Sequence, residues 1–387
     1  MSTQPDSSTK KPRMFFIDNL RILLTILVIS HHIAITYGAS GAWYYKEGEP
    51  EMLGAIIFAF FVTVNQAFFM GFFFMISGYF VPGSYDRKGG GRFLADRLMR
   101  LGIPLVFYIV VIDPLLTYLL GVKVHGIDIS LWEYLKTGLT NFEGLGTGPM
   151  WFVETLLIVN IFYVLWRLAA KHRVVDPGPD SKPPGNAFFV IFTVLIGSVT
   201  FFVRIWLPEG WIFRPLSLQF PYFPQYISMF VLGIVAYRCN WFQKITDSQG
   251  KLWLWVTVFL IVVVFPGMLV FSGALEGNTE SLQGGFHWES FVFSVWQQFI
   301  CTGMVITLLT GFRKRLNSQG RLGVAMSGGA YTAFIIHAPV AVIIALLLKG
   351  VMLFPLIKFP LVAVVVVWIC FLLGIVIRKM PFTRRIL

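Results

Sequence analysis

Residues 14–38, MFFIDNLRILLTILVISHHIAITYG, decide how this chain must be read. The run has the length of a bilayer-spanning helix, which takes about 20 mainly apolar residues. It nevertheless carries Asp18, Arg21, His31 and His32. Ionisable groups inside a span are costly and mark function by default. At about 100° per residue, the eleven-residue step from Arg21 to His32 returns to within about 20° of one direction, with a rise of about 16 Å. Arg21 and His32 therefore share one wall of the helix, and His31 points about 80° away from Arg21. Asp18, three residues before Arg21, is spaced for an ion pair on the helix surface. The plainer alternative has Arg21 snorkelling to headgroups and the histidines satisfying neighbouring carbonyls. No small-residue cleavage site follows the run, so it reads as a retained helix and not as a signal peptide.

The rest of the chain repeats the pattern. Of 387 residues, 56% are apolar or aromatic and 13% are charged, against about 25% charged in soluble domains. Lipid must be the solvent, and the expected fold class is all-α, a polytopic membrane bundle of about ten transmembrane helices. The candidate spans are 14–37, 53–80, 101–121, 150–170, 187–207, 219–238, 252–272, 288–311, 325–348 and 352–378. The formal charge of +12 is spread through short loops and not gathered on one amphipathic face, which argues against nucleic acid. Most of the Lys and Arg fall on one side of a ten-span layout, and acidic loop residues such as Glu47, Glu49 and Glu51 on the other. The positive-inside rule then puts both termini in the cytoplasm. Residues 1–13 read as a polar, disordered cytoplasmic tail and 14–387 as a single transmembrane domain, with no appended soluble domain. Residues 84–100 read as a Gly-rich turn leading into a short basic amphipathic helix, and 172–186 as a Pro-rich linker. Cys239, Cys301 and Cys370 suit neither a disulfide framework nor a metal site, and no metal is expected.

Further polar groups stand out. Phe72 to Phe80 hold Ser77, Gly78 and Tyr79 in an aromatic run, where Gly78 permits close helix approach. Arg97 and Arg100 lie one turn apart and read equally as a phosphate grip or as contacts to anionic lipid. Trp151 is placed like an interfacial anchor, whereas Glu154 falls within the membrane. Ser327, Tyr331 and His337 occupy the ninth candidate helix, with His337 a second candidate proton carrier or ligand.

Taken in order, these marks resemble the acyltransferase 3 family of integral-membrane enzymes. Arg21 followed by ten residues and His32 resembles its Arg-x10-His signature. Phe73-Phe74-Met75-Ile76-Ser77-Gly78-Tyr79 is similar to its aromatic Ser-Gly segment, and Arg97, Arg100 and Pro104 to its R-x-x-R motif. Trp151-Phe152 and Ser327, Tyr331, His337-Ala338-Pro339 resemble its later marks, although Pro149-Met150 stand where the family usually has a His before Trp-Phe. Length and the residues after His32 are similar to the subgroup that modifies periplasmic glucans, often with succinyl groups.

The resemblance implies acyl transfer from cytoplasmic acyl-CoA, acetyl-CoA or succinyl-CoA, to a hydroxyl of an envelope glycan or glycolipid at the inner membrane. It also implies roles: Arg97, Arg100 and Arg21 for the donor's phosphates, His32 as general base with His31, His337 and Tyr331 beside it, and Asp18, Ser77, Tyr79, Trp151 and Glu154 toward substrate. Two other classes remain open. A secondary transporter also has about ten helices with a few buried ionisable groups, but matched broken halves are not evident. A glycosyltransferase could use Glu47, Glu49 and Glu51 of the first outer loop as catalytic or metal-binding groups, and a metal dependence of activity would mark it.

Overall fold

The computed structural model describes residues 13–48, 50–141, 146–170, 178, 181–214, 216–277 and 279–387. The expected tail as far as Pro12, most of the Pro-rich linker and Glu49 lie outside the described residues. Among the described residues ten helices run between the two ends of one bundle: α1 (Phe15–Thr36), α2 (Met52–Lys88), α3 (Gly90–Val124), α4 (Gly148–Ala170), α5 (Asn186–Trp206), α6 (Phe223–Arg238), α7 (Asp247–Phe271), α8 (Trp288–Arg315), α9 (Arg321–Leu347) and α10 (Pro355–Lys379).

Among the described residues nine of these are long and apolar enough to cross a membrane. The exception is α6, with 16 residues, or about 24 Å. It still joins the two ends. Its lead-in residue Tyr222 lies under the Arg204 guanidinium at the end of α5, 5.2 Å from the ring centroid. Its last residue, Arg238, pairs with Asp86 at the far end of α2 at 2.6 Å.

Two boundaries differ from expectation. Helix α2 continues through Pro82 to Lys88, and α3 begins at Gly90, so residues 84–100 hold one break at Gly89 and not a Gly-rich turn before a surface helix. Gly89 has φ +76°, the left-handed conformation that glycine adopts freely. The helical pitch also widens at Leu98–Gly102, Tyr108–Ile112 and Leu260–Val264. Each wide turn ends two residues before a proline: Pro104, Pro114 or Pro266. A proline ring clashes with the preceding turn and removes an N–H, and a wider turn relieves both. In a bilayer the freed carbonyls need other donors. The Tyr331 hydroxyl donates to the Arg100 carbonyl at 2.9 Å, and Trp296 Nε1 donates to Leu260 at 2.9 Å.

The start of α1 and the end of α10 lie at one end of the bundle. Asn19 Nδ2 donates to the Leu316 and Ser318 carbonyls, at 2.7 and 3.1 Å, in the α8–α9 turn. The Arg378 guanidinium of α10 lies against Gly328 of α9. The opposite end is tied by Lys358, buried at the start of α10, which pairs with Glu47 and donates to the carbonyls of Leu348 and Val351 at 2.8 and 2.9 Å.

Helices α2 and α6 approach through two glycines. A Cβ on Gly78 would overlap the Phe230 carbonyl, and one on Gly233 the Met75 carbonyl. Gly78→Ala or Gly233→Ala should therefore cost about 1–3 kcal/mol of overpacking, lowering the yield of monodisperse protein and its melting temperature. Gly311→Ala, where a Cβ meets nothing within 4 Å, should leave both unchanged.

Candidate active site

Helices α1 and α9 converge on one hydrogen bond. Fully buried His337 sets its Nδ1 against the Phe334 carbonyl one turn back. A carbonyl only accepts, so Nδ1 carries the proton and, in the neutral ring, Nε2 is left as an acceptor. That nitrogen lies 3.0 Å from His32 Nδ1, which must then donate. The His32 ring also meets the Val28 carbonyl on α1, a second acceptor. The network assigns Nδ1–H to both rings and leaves the lone pair of His32 Nε2 unshared. The half-buried His32 is therefore built as a proton acceptor aimed away from its partner.

A loop residue covers the pair. Trp43 stacks on His32 with centroids 4.0 Å apart and planes 15° from parallel, and overlies His337 at 5.9 Å. Its buried indole N–H has no hydrogen-bond partner. The loop is latched by the next residue. Tyr44 donates to Asp113 of α3, and its oxygen lies 3.2 Å from that of Tyr108. Asp113, 2% exposed, also accepts from the Gly146 N–H at 2.9 Å. Gly148 completes the contact with φ +46°, and a Cβ there would overlap the Tyr44 hydroxyl. A carboxylate among apolar groups holds the outer loop, the α3 helix and the entry to α4 together and so fixes Trp43 over the imidazoles.

The other expected residues divide between two places. His31 stands edge-on to His32 at 5.5 Å, against Phe69 at 5.1 Å, with Asn65 Nδ2 3.4 Å from its Nδ1. It flanks the pair and does not join it. Arg21 lies on α1 nearer the end where α1 starts and α10 finishes, 3.9 Å from Asp18, which also accepts from Arg13 Nε at 2.8 Å. Arg97 lies over the Phe93 ring at 4.9 Å, and Arg100 is exposed. Tyr331, with its hydroxyl on the Arg100 carbonyl, belongs to this basic end and not to the histidine pair. Tyr79 stacks on Phe242 at 4.1 Å and directs its hydroxyl to Met14 Sδ at 3.7 Å. Ser327 bonds the Val324 carbonyl within its own helix, and Ser77 is half-buried on α2. Trp151 stacks on Tyr226 at 5.6 Å, and Glu154 is buried with Oε2 unpartnered.

Sequence reading missed Trp43, Tyr44 and Asp113. Asp113 offered the signal used for Glu154, a carboxylate in an apolar run. Trp43 offered only its place in the aromatic triplet Trp43-Tyr44-Tyr45. Among the described residues no three His, Cys, Asp or Glu side chains gather as metal ligands.

A family model described as an acyltransferase domain, of the acyltransferase 3 type, matches residues 14–375. The chain belongs to this family, and its long apolar helices make it a multi-pass membrane protein. Among curated proteins it is similar to the glucans biosynthesis protein C of Salmonella heidelberg strain SL476, at 26% identity over 251 residues. It is similar at 25% identity over 251 residues to that of Salmonella schwarzengrund strain CVM19633. Each alignment covers 60% of this chain and 60% of the relative, so the match spans about three fifths of the curated proteins' length. No solved structure matches the chain.

The latch makes a prediction. Tyr44→Phe removes the hydrogen bond to Asp113 while keeping the ring, and should lower acyl-transfer turnover about tenfold through loosened Trp43 stacking. Trp43→Ala should lower it further. Initial rates on purified variants, with size-exclusion profiles to show intact folding, would measure both.

Proposed function

We propose that this chain moves an acyl group, acetyl or succinyl, from cytoplasmic acyl-CoA to a hydroxyl of an envelope glucan, with His32 as general base. The observation that carries this reading is the unshared lone pair on His32 Nε2, set by the hydrogen bond to His337. Family membership supplies the reaction class. The glucan acceptor is suggested by the printed name of the relatives.

The chemistry follows from the tautomers. His32 Nε2 takes the acceptor's hydroxyl proton as that oxygen attacks the thioester carbonyl. The tetrahedral oxyanion collapses, the C–S bond breaks, and the CoA sulfur leaves with the proton returned by the imidazolium. His337, accepting from Nδ1–H, holds His32 in orientation. The Trp43 indole N–H, beside the imidazole and without a partner, supplies an oxyanion donor. Tyr331 does not serve there, because its hydroxyl is committed to the Arg100 carbonyl. His31 shapes the pocket with Asn65, and Trp151 and Glu154 stand toward the acceptor.

The donor enters from the other end. Arg97, Arg100 and Arg21 suit the phosphates of CoA, since guanidinium groups offer paired donors to phosphate oxygens. The pantetheine arm would run along α1 from Arg21 to His32, about 16 Å for eleven residues. The charge bias of the loops supports a cytoplasmic basic end, both termini inside, and an inner-membrane location for residues 14–387 as one domain. Residues 1–13 form its cytoplasmic tail.

The test is CoA release by purified protein given acetyl-CoA or succinyl-CoA with a gluco-oligosaccharide. His32→Ala should lose about 10²–10⁴-fold in rate, and wild-type activity should fall at acid pH as the base is protonated. Undiminished turnover by a folded His32→Ala protein would overturn the assignment.

A further inference from the structure

Arg378, near the end of α10, belongs to none of the sequence motifs, yet the fold brings it to the basic end of α1. Helices α9 and α10 approach through glycines. A Cβ on Gly374 would lie 2.8 Å from the Gly329 carbonyl oxygen, and one on Gly329 would lie 3.2 Å from the Gly374 backbone. Arg378 follows Gly374 by four residues, about one helical turn, so it leaves α10 on the face turned to α9. There its guanidinium settles on Gly328, where a Cβ would overlap Nη1. Gly328 is therefore a notch, open because the residue has no Cβ.

The neighbours of this notch are charged. Tyr331, one turn further along α9, donates to the Arg100 carbonyl at 2.9 Å, which brings the start of α3 to the same stretch of helix. Arg21 lies within electrostatic reach of Asp18, Arg13 and Arg378. Asp18 accepts from Arg13 Nε at 2.8 Å and stands 3.9 Å from Arg21 Nη1. Three guanidinium groups thus surround one carboxylate, and two positive charges are left over. Basic residues elsewhere are neutralised: Arg167 and Arg238 by Asp86, Arg313 and Lys314 by Asp247. Among the described residues no carboxylate pairs with Arg378. The group is also open to solvent. Arg378 is exposed, and the side chains of Arg13 and Arg21 keep 53% and 39% of their surface.

An accessible set of guanidinium groups with two unbalanced charges fits a ligand that carries two negative charges and oxygens for forked donors. A carboxylate supplies one charge, and a diphosphate ester supplies two. The position agrees. In CoA the diphosphate heads the pantetheine arm, and Arg21 is the residue from which α1 leads, over about 16 Å, to His32. Arg97 and Arg100, electrostatic neighbours of each other at the start of α3, are then left for the phosphate monoester on the CoA ribose. The headgroup of an anionic phospholipid offers the same phosphate oxygens, and binding measured with and without such lipid separates the two sources.

We propose that Arg378, seated on Gly328, forms with Arg21 a clamp for the diphosphate of the acyl-CoA donor. This clamp rests on the donor assigned above. The measurement is equilibrium binding of CoA, by calorimetry, to purified protein in phosphatidylcholine nanodiscs. Arg378→Ala should weaken binding about tenfold, the loss of a charge-assisted contact, and Arg378→Lys should recover only part of it. Gly328→Ala should also weaken binding, without lowering the melting temperature, since its Cβ meets only the movable end of Arg378. The Gly328→Ala, Arg378→Ala double variant should bind no worse than Arg378→Ala alone. In turnover assays Arg378→Ala should raise the KM for acetyl-CoA more than it lowers kcat. With acetyl-phosphopantetheine, which keeps the inner phosphate and lacks the nucleotide, the effect of Arg378→Ala should persist. Its disappearance there would move Arg378 to the ribose phosphate and overturn the diphosphate assignment. Equal CoA binding by wild type and all the variants would overturn the clamp and leave the donor assignment standing. So would variants that lose only added phosphatidylglycerol. Wild-type protein that binds no CoA would overturn the clamp and the donor assignment together.

Discussion

The Phe334 carbonyl sets the tautomers of the buried histidine pair. By accepting from His337 Nδ1 it leaves Nε2 of that ring as an acceptor, and the acceptor in turn fixes the proton of His32 on Nδ1. One backbone oxygen therefore decides which nitrogen of His32, on another helix, is free to take a proton. The arrangement works because His337 is buried in α9 and cannot find an alternative partner in water. The tight α2–α6 contact, the Lys358 anchor and the Asp113 latch keep α1, α9 and the outer loop at the distances this relay needs.

The absence of water around a membrane helix explains features that would pass unremarked in a soluble protein. Three prolines inside spans are each preceded by a wide turn, and in two cases a side chain from another helix donates to a carbonyl in that turn. Tyr331 is the instructive case. Its sequence context suggested a catalytic hydroxyl, yet its donation to the Arg100 carbonyl binds α9 to the arginine-bearing start of α3. Pro104 removes the N–H that would otherwise serve that carbonyl. Tyr331 thereby connects the basic end of the bundle to the helix that carries His337.

Much of this was legible in the sequence, for physical reasons. The long apolar runs gave nine spans directly, and the 3.6-residue period put Arg21 and His32 on one wall of α1. The extension of α2 past residue 80 was not legible, because Pro82 and the charged residues after it look like an exit from the membrane. The short α6 was read as a full span because its flanking aromatic residues prolong the apolar run. The pairing of His32 with His337 was beyond local pattern, since 305 positions separate them. Trp43 lies in a loop whose conformation depends on Asp113 from a different helix.

The central claim concerns one proton, and magnetic resonance can observe it. The chain has six histidines, so solid-state spectra of protein labelled with nitrogen-15 at histidine, in lipid, remain simple enough to assign by loss of signals in His32→Ala and His337→Ala. At neutral pH the account predicts the neutral Nδ1–H form for both rings, with a bare Nε2 on His32. A proton on His32 Nε2, with Nδ1 bare, would contradict it.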